Sequence, residues 1–197
     1  MKRVLAGILA LSVISIPAVA ALKTGGTAPD FSAKASLAGK EFNFSLKDAL
    51  RKGPVVVYFY PSAFTKGCNA EAHTFAENKE KFDAVGATII GVSRDSIARL
   101  NDFSADPAYC ASKFPVASDA DGAITKAYAL ATMDAPGVHK DSRDVAIDHP
   151  FTERTTFVIA PDSKIVATLS STDDHLTPEE HVDKSLAVVA KMATTKH

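Results

Sequence analysis

The sequence has almost no excess of either charge, since its 197 residues include 22 lysines and arginines against 23 aspartates and glutamates. Proteins that bind nucleic acid concentrate basic residues on one face, whereas lysine and arginine are scattered along this chain. A nucleic-acid partner is therefore not expected. After residue 20 the apolar runs are also shorter than the roughly 20 residues that span a bilayer, so we expect no stable association with a membrane.

Signatures of metal and cofactor sites are missing as well. The six histidines and two cysteines form neither a Cys-x-x-Cys nor a His-x-x-x-His pair, the spacings typical of zinc sites. No glycine-rich loop that cradles phosphate is present either. We therefore expect no metal site and a chemistry that needs no cofactor. Without Cys-x-x-Cys, thiol–disulfide exchange of the thioredoxin kind is also disfavoured, because it uses two close cysteines.

The first 20 residues have the pattern of an export signal. Lys2 and Arg3 are followed by an apolar run to about residue 16, a proline at position 17 and small residues at 18–20. This order of a basic start, an apolar segment and a small-residue cleavage site is typical of secretory signal peptides. A retained membrane anchor is the alternative, but the run is short for one. We predict a signal peptide over 1–20, a domain over 21–197 and a periplasmic location.

Beyond the signal, strands alternate with helices. β-branched and aromatic runs predict buried strands over 55–60 and 87–93, and a helical pattern fills 68–84 between them. Residues 132–153 are the least regular part. The other expected elements are a hairpin around Phe42 and Phe44, a helix over 48–52, a helix that Asp95 or Ser96 caps, a strand over 114–117, a helix over 123–130, a strand hairpin over 155–160 and 164–169, and a helix over 178–192. This order predicts one α/β domain with a thioredoxin-like fold, in which helices flank a central mixed β-sheet.

Cys68 lies where a buried strand and a short loop give way to a helix. Cysteine attacks as the thiolate, and the unpaired N–H groups and positive dipole end of a helix N-terminus stabilise that charge. Thr65 places a hydroxyl three residues before the sulfur, and Pro61, which has no N–H, ends the strand and stiffens the loop. Thr65 as a plain helix cap and Pro61 as a plain strand terminator are the alternatives. The segment predicts a reactive cysteine.

Residues 55–71 resemble the active-site segment of the peroxiredoxins. Their motif Pro-x-x-x-Thr-x-x-Cys is matched by Pro61, Thr65 and Cys68, behind an aromatic strand. The resemblance is greatest to the branch of peroxiredoxin Q and the bacterioferritin comigratory proteins. Further family-like segments occur at 28–31, 91–93, 118–122 and 154–165. Together they cover most of residues 25–170.

The resemblance implies a thiol peroxidase that reduces hydrogen peroxide and organic hydroperoxides through a sulfenic acid on Cys68. It implies an arginine at the start of a later strand, and Arg154 matches it; its permanent charge would face the thiolate and the peroxide. Glu71, one helical turn after Cys68, stands at a family-like position and would support the site. A surface ion pair for Arg154 and an exposed helix face for Glu71 are the alternatives. An external dithiol, thioredoxin-like or small, would restore the enzyme, which we expect to be a monomer or a homodimer.

Many members of the resembled branch carry a resolving cysteine five residues after the first, where this chain has His73. Cys110, 42 residues after Cys68, is then the only internal candidate, and the resemblance implies a Cys68–Cys110 disulfide. Forming it requires local unwinding of the helix, because disulfide geometry demands close sulfurs. Resolution by an external thiol and a link between subunits stay open.

A less specific hypothesis competes with the peroxidase. In oxidising compartments a pair of cysteines is commonly a structural disulfide. The alternative is therefore a periplasmic protein of the same fold that is not catalytic, or that exchanges disulfides, with Cys68 and Cys110 bridged permanently.

Overall fold

The computed structural model describes residues 21–134 and 139–195, so the expected signal peptide lies outside the described residues. Within them a seven-stranded sheet forms the centre of the molecule. Its strands are β1 (Ser32–Leu37), β2 (Lys40–Ser45), β3 (Val55–Phe59), β4 (Thr88–Ser93), β5 (Val116–Ser118), β10 (Thr155–Ile159) and β11 (Ile165–Ser170). The helices are α1 (Leu46–Leu50), α2 (Lys66–Ala84), α3 (Ile97–Ala105), α4 (Ala123–Ala127) and α5 (Pro178–Thr194). Two small ribbons are formed by β6 (Thr132–Met133), β7 (His139–Lys140), β8 (Ala146–Ile147) and β9 (Phe151–Thr152).

The sheet is mixed, as the sequence predicts. Its strand order is β11-β10-β3-β4-β5-β1-β2. Strands β3, β4 and β5 run parallel, whereas β10 pairs with β3 and β1 pairs with β5 in antiparallel fashion. Helices α1 and α4 cover one face, and α2, α3 and α5 cover the other. All five residues of β3 are buried because alternate side chains enter these two layers. A central mixed sheet flanked by helices is confirmed.

Element boundaries differ from the prediction by a few residues. Helix α2 begins at Lys66 rather than at Cys68, because Thr65 has the extended backbone of an N-cap residue. Helix α4 ends at Ala127, three residues early, since Ala129 has a left-handed backbone with φ of 53°. In the described part of the chain no helix combines the length and the apolarity needed to cross a bilayer.

The irregular stretch after residue 131 contains the two small ribbons, β6 with β9 and β7 with β8. The β7–β8 ribbon lies against the loop that precedes α2. Its Ser142 N–H donates to the Phe64 carbonyl at 2.9 Å. The Arg143 guanidinium lies 3.2 Å from the centre of the Phe64 ring, in cation–π contact. This stretch is therefore docked onto the loop before Cys68.

His149 ties the same stretch to the turn after β4. Its Nε2 lies 2.9 Å from Oδ1 of the buried Asp95. Burial disfavours the charged imidazole, but the hydrogen bonds to Asp95 and to the Pro150 carbonyl outweigh it and raise the pKa of His149 above its ordinary 6.5. Burial alone would raise the pKa of Asp95, yet hydrogen bonds from His149 and the Ala63 N–H hold it below its ordinary 3.8.

The His149–Asp95 ion pair predicts a pH-dependent stability. Because the folded-state pKa of His149 is raised, its contribution is complete below about pH 6.5 and is lost as the pH rises through the raised value. We expect wild type to lose ~1 kcal/mol relative to His149→Asn across the next two pH units. Urea unfolding at several pH values measures the difference, with the exposed His175→Asn as control. A difference that stays constant over this range contradicts the ion pair.

Candidate active site

The segment between β3 and α2 turns the chain sharply and delivers Cys68 into the first turn of the helix. Pro61 lies two residues after the end of β3 and has no N–H to donate to a sheet partner. Thr65 occupies the N-cap position, but its hydroxyl donates to the Ser62 carbonyl at 2.9 Å instead of capping the helix. Thr65 is thus the N-cap residue by its position and backbone, without a side-chain cap hydrogen bond. Cys68, as the third helical residue, lies among the N–H groups that lack intrahelical acceptors by helix geometry.

Arg154 reaches Cys68 from 86 residues away because of how two strands pair. It directly precedes β10, and the antiparallel register places Thr155 opposite Phe59, the last residue of β3. The guanidinium Nη2 lies 3.3 Å from the Cys68 Sγ. The sulfur's residue is 1% exposed and the Arg154 side chain 10%, so little water screens the contact. The structure brings these two predicted residues together.

Glu71 completes the cluster on the far side of the guanidinium. Its Oε2 accepts a hydrogen bond from Arg154 Nη1, and the residue is fully buried. Burial raises the pKa of Glu71 to about 7, although Arg154 acts in the opposite direction. Burial also disfavours the charged guanidinium, but Glu71 and Cys68 outweigh it and raise the pKa of Arg154 further. The alternatives of a surface ion pair for Arg154 and an exposed carboxylate for Glu71 are therefore wrong.

Gly67 gives Arg154 room to approach. A Cβ at this position would lie 3.2 Å from Arg154 Nη2 and 3.5 Å from Pro178 Cγ, at the start of α5. Any larger residue would press on the guanidinium. No local pattern in the sequence assigns a role to Gly67, because Arg154 comes near it only through the pairing of β10 with β3.

His181 of α5 lies behind the cluster and also escaped the sequence analysis. Both ring nitrogens have hydroxyl partners, Thr156 Oγ1 at 2.9 Å from Nδ1 and Ser171 Oγ at 3.0 Å from Nε2. Burial, with the neighbouring Arg154 charge, lowers the pKa of His181 to about 4. The imidazole of His181 is therefore neutral near pH 7 and adds no positive charge to that of Arg154.

Cys110 lies in the turn after α3, in the same apolar cluster as Cys68. Both thiols are free, and Cys110 is fully buried. Burial, with a smaller effect of Asp106, raises the pKa of Cys110 well above its ordinary range, so the thiol is protonated. The His73 ring, one and a half turns after Cys68, has Nδ1 3.1 Å from the Ala108 carbonyl of this turn. The Cys110 turn is thus packed against the helix that carries Cys68.

Asp95 was predicted only as a possible cap of α3. Ser96 is the cap, since its side chain accepts from Arg99 N at 3.3 Å. Asp95 is instead fully buried and accepts hydrogen bonds at 2.7 Å from both the Ser62 hydroxyl and the Ala63 N–H. Asp95 thus anchors residues 62 and 63 of the loop before Cys68 to the turn after β4.

Among the described residues, no group of three or more histidine, cysteine, aspartate or glutamate side chains is arranged to hold a metal ion. The chemistry that the cluster itself offers is that of a sulfur nucleophile beside a permanent cation.

Known proteins resemble this chain in sequence and in fold. The AhpC/TSA family matches residues 24–168. A relative from Mycobacterium tuberculosis that carries a peroxiredoxin name is 31% identical over 168 residues, which are 85% of this chain and 96% of that protein. The crystal structure of peroxidoxin BcpB from Mycobacterium tuberculosis superposes with a TM-score of 0.71 at 28% identity, covering 86% of this chain and 97% of the other.

A structure of the Xanthomonas campestris bacterioferritin comigratory protein, described with alkyl peroxide reduction activity, gives a TM-score of 0.63 at 28% identity over 81% of this chain and 91% of the other. These similarities confirm the thioredoxin-like fold and the resemblance to the bacterioferritin comigratory branch. Since the family match spans well over half of the sequence, the chain belongs to the AhpC/TSA family and is a peroxiredoxin.

Proposed function

We propose that Cys68 reduces hydrogen peroxide and organic hydroperoxides through a sulfenic acid, that Cys110 resolves this acid as a disulfide, and that the protein works outside the cytoplasm. The broader activity, a thiol-dependent peroxidase, follows from the family. The contact between Arg154 Nη2 and Cys68 Sγ, at 3.3 Å in a buried site, is the observation that carries the proposal. It pairs a nucleophile with a charge that cannot be titrated away.

The first step transfers one oxygen atom to sulfur. The Cys68 thiolate attacks one peroxide oxygen, an S–O bond forms and the O–O bond breaks. Sulfur is oxidised to the sulfenic acid, the peroxide is reduced, and the leaving oxygen takes up a proton to depart as water or alcohol. Arg154 stabilises the thiolate beforehand and the negative charge that moves onto the leaving oxygen.

Thr65 would orient the peroxide as an acceptor. A hydroxyl has one hydrogen and two lone pairs, and the hydrogen of Thr65 is committed to the Ser62 carbonyl. Its lone pairs therefore remain for a peroxide O–H. In this reading Pro61 shapes the loop, while Glu71 holds the guanidinium in place.

The second step needs Cys110. Its sulfur attacks the sulfenic sulfur of Cys68, an S–S bond forms, the S–O bond breaks, and the oxygen leaves as water with the thiol proton. Both cysteines are buried, so the first turn of α2 or the Cys110 turn must open for disulfide geometry. An external dithiol then reduces the disulfide and restores both thiols.

Replacing the nucleophile tests the proposal directly. With dithiothreitol as reductant, we expect Cys68→Ser to lose about 10³-fold or more of the rate of peroxide consumption, because the remaining sulfur, Cys110, is buried and protonated. Stopped-flow or coupled assays of hydrogen peroxide and of an organic hydroperoxide measure this. The matched control is Ser112→Ala, an exposed position in the Cys110 turn. Retention of wild-type turnover by Cys68→Ser would sink the proposal.

Cys110 is tested by the stoichiometry of thiol loss. One equivalent of peroxide should consume both thiols of wild type and leave an intramolecular disulfide. In Cys110→Ser the same equivalent should leave a Cys68 sulfenic acid that dimedone traps. Mass spectrometry of the intact protein and its peptides distinguishes the products. Loss of only one thiol per peroxide in wild type would instead assign resolution to an external thiol.

Export is proposed from the pattern of the first 20 residues alone. Expressed in a Gram-negative bacterium, the protein should be recovered from the periplasm with Ala21 as its first residue. Interrupting the apolar run with Ile8→Arg should leave the uncleaved chain in the cytoplasm, and Lys40→Arg serves as an inert control. Cell fractionation with N-terminal mass determination decides, and an uncleaved wild-type chain in the cytoplasm contradicts the proposal.

A further inference from the structure

We propose that Asp95 is a positioning residue for the peroxidase reaction, which fixes the loop before Cys68 and, through Ser62, the direction of the Thr65 hydroxyl. The inference rests on the proposed function, because it assigns Asp95 to the same site. Asp95 lies in the turn after β4, and the loop it holds follows the adjacent strand β3.

The contacts of Asp95 are those of a fully used carboxylate. Oδ1 accepts from the Ser62 hydroxyl at 2.7 Å and faces His149 Nε2 at 2.9 Å. Oδ2 accepts from the Ala63 N–H and from the Ser93 hydroxyl, both at 2.7 Å. Two of these four donors belong to consecutive residues of the loop. The carboxylate therefore fixes one short stretch of backbone rather than a general part of the core.

Arg99 holds the same stretch from the other side. Its Nη2 donates to the Ala63 carbonyl at 2.9 Å, while its Nε lies 2.9 Å from Asp95 Oδ1. Nη2 also contacts Asp141 of the docked β7–β8 ribbon at 2.7 Å. The Ala63 residue is thus clamped at its N–H by a carboxylate and at its carbonyl by a guanidinium. Charge-assisted hydrogen bonds of this kind are stronger than neutral ones.

One further hydrogen bond links the residues held by Asp95 and Arg99 to Thr65, next to the site where the peroxide would bind. The Ser62 carbonyl accepts the Thr65 hydroxyl at 2.9 Å, and Ser62 itself is held by Asp95. Phe64, between them, has a left-handed backbone with φ of 64°, a conformation that a bulky residue adopts only when its surroundings enforce it. Release of Asp95 removes the constraint on the Ser62 and Ala63 side of this residue. The loop then relaxes, and the lone pairs of Thr65 no longer point where the peroxide binds.

A charge-removing variant tests this role. Asp95→Asn keeps the shape but offers N–H groups to neighbours that are themselves donors. We expect the second-order rate of Cys68 oxidation by hydrogen peroxide to fall about tenfold or more, since small misplacements of reacting groups cost that much. The control is Asp83→Asn, an exposed carboxylate on α2, which should keep the wild-type rate.

Iodoacetamide separates positioning from general damage. It alkylates cysteine without using the peroxide-orienting groups, so a mispositioned loop lowers the ratio of peroxide oxidation to alkylation at Cys68. The buried Cys110 is the internal reporter of folding: it must stay unreactive in Asp95→Asn. If it becomes reactive, Ser62→Ala decides, because this variant removes a single hydrogen bond of the clamp.

Ser62→Ala should lower the rate of Cys68 oxidation by peroxide while Cys110 stays protected from iodoacetamide. The double variant with Asp95→Asn should be no slower than Asp95→Asn alone, because both substitutions remove the same hydrogen bond between Asp95 and Ser62. If Asp95→Asn keeps the wild-type rate of oxidation by peroxide, the positioning role is wrong. If Asp95→Asn has exposed Cys110, a wild-type rate in Ser62→Ala leads to the same conclusion. Either result leaves the proposed peroxidase function standing. A wild-type chain whose Cys68 is not oxidised by peroxide overturns the proposed function together with the positioning role.

Discussion

The active site depends on one interaction between distant parts of the chain, the contact of the Arg154 guanidinium with the Cys68 sulfur at 3.3 Å. The antiparallel register of β10 against β3 makes it possible, since the residue before one strand meets the loop after the other. A buried cation is costly without partners, and Glu71 on the same helix as Cys68 satisfies it. The thiol, the cation and the counter-charge are thus held together by one strand pair and one helix.

A second buried carboxylate, Asp95, stands behind the loop on the same edge of the sheet. Its cationic partners come from α3 and from residues 139–149, as Arg99 and His149. The stretch that ends in Arg154 therefore contributes charges to both carboxylates, to Glu71 directly and to Asp95 through His149. The irregular region after residue 131 thus shares the neutralisation of Asp95 with α3, and its described part is docked onto the loop before Cys68.

Most of the strands and helices could be predicted from the sequence, as could the residues that the structure brings together around Cys68, because they carry local signals. The motif around Cys68 is contiguous, and buried strands such as 55–60 show as unbroken β-branched and aromatic runs. Asp95, Gly67 and His149 could not be found in this way. Each of these residues contacts a residue that lies far along the chain. Their contacts are therefore known only once the strands are paired in the folded structure.

Cys68 and Cys110 are both buried, but the Cys68 sulfur lies 3.3 Å from the Arg154 guanidinium, whereas burial raises the pKa of Cys110 well above its ordinary range. A protonated thiol is a poor nucleophile, so in the proposed mechanism Cys68 meets the peroxide first. In the proposed mechanism, the second sulfur reacts only after the helix of Cys68 or the turn of Cys110 has opened, since both thiols are buried. On that proposal, the packing of the apolar cluster around Cys110 sets the order of the two chemical events.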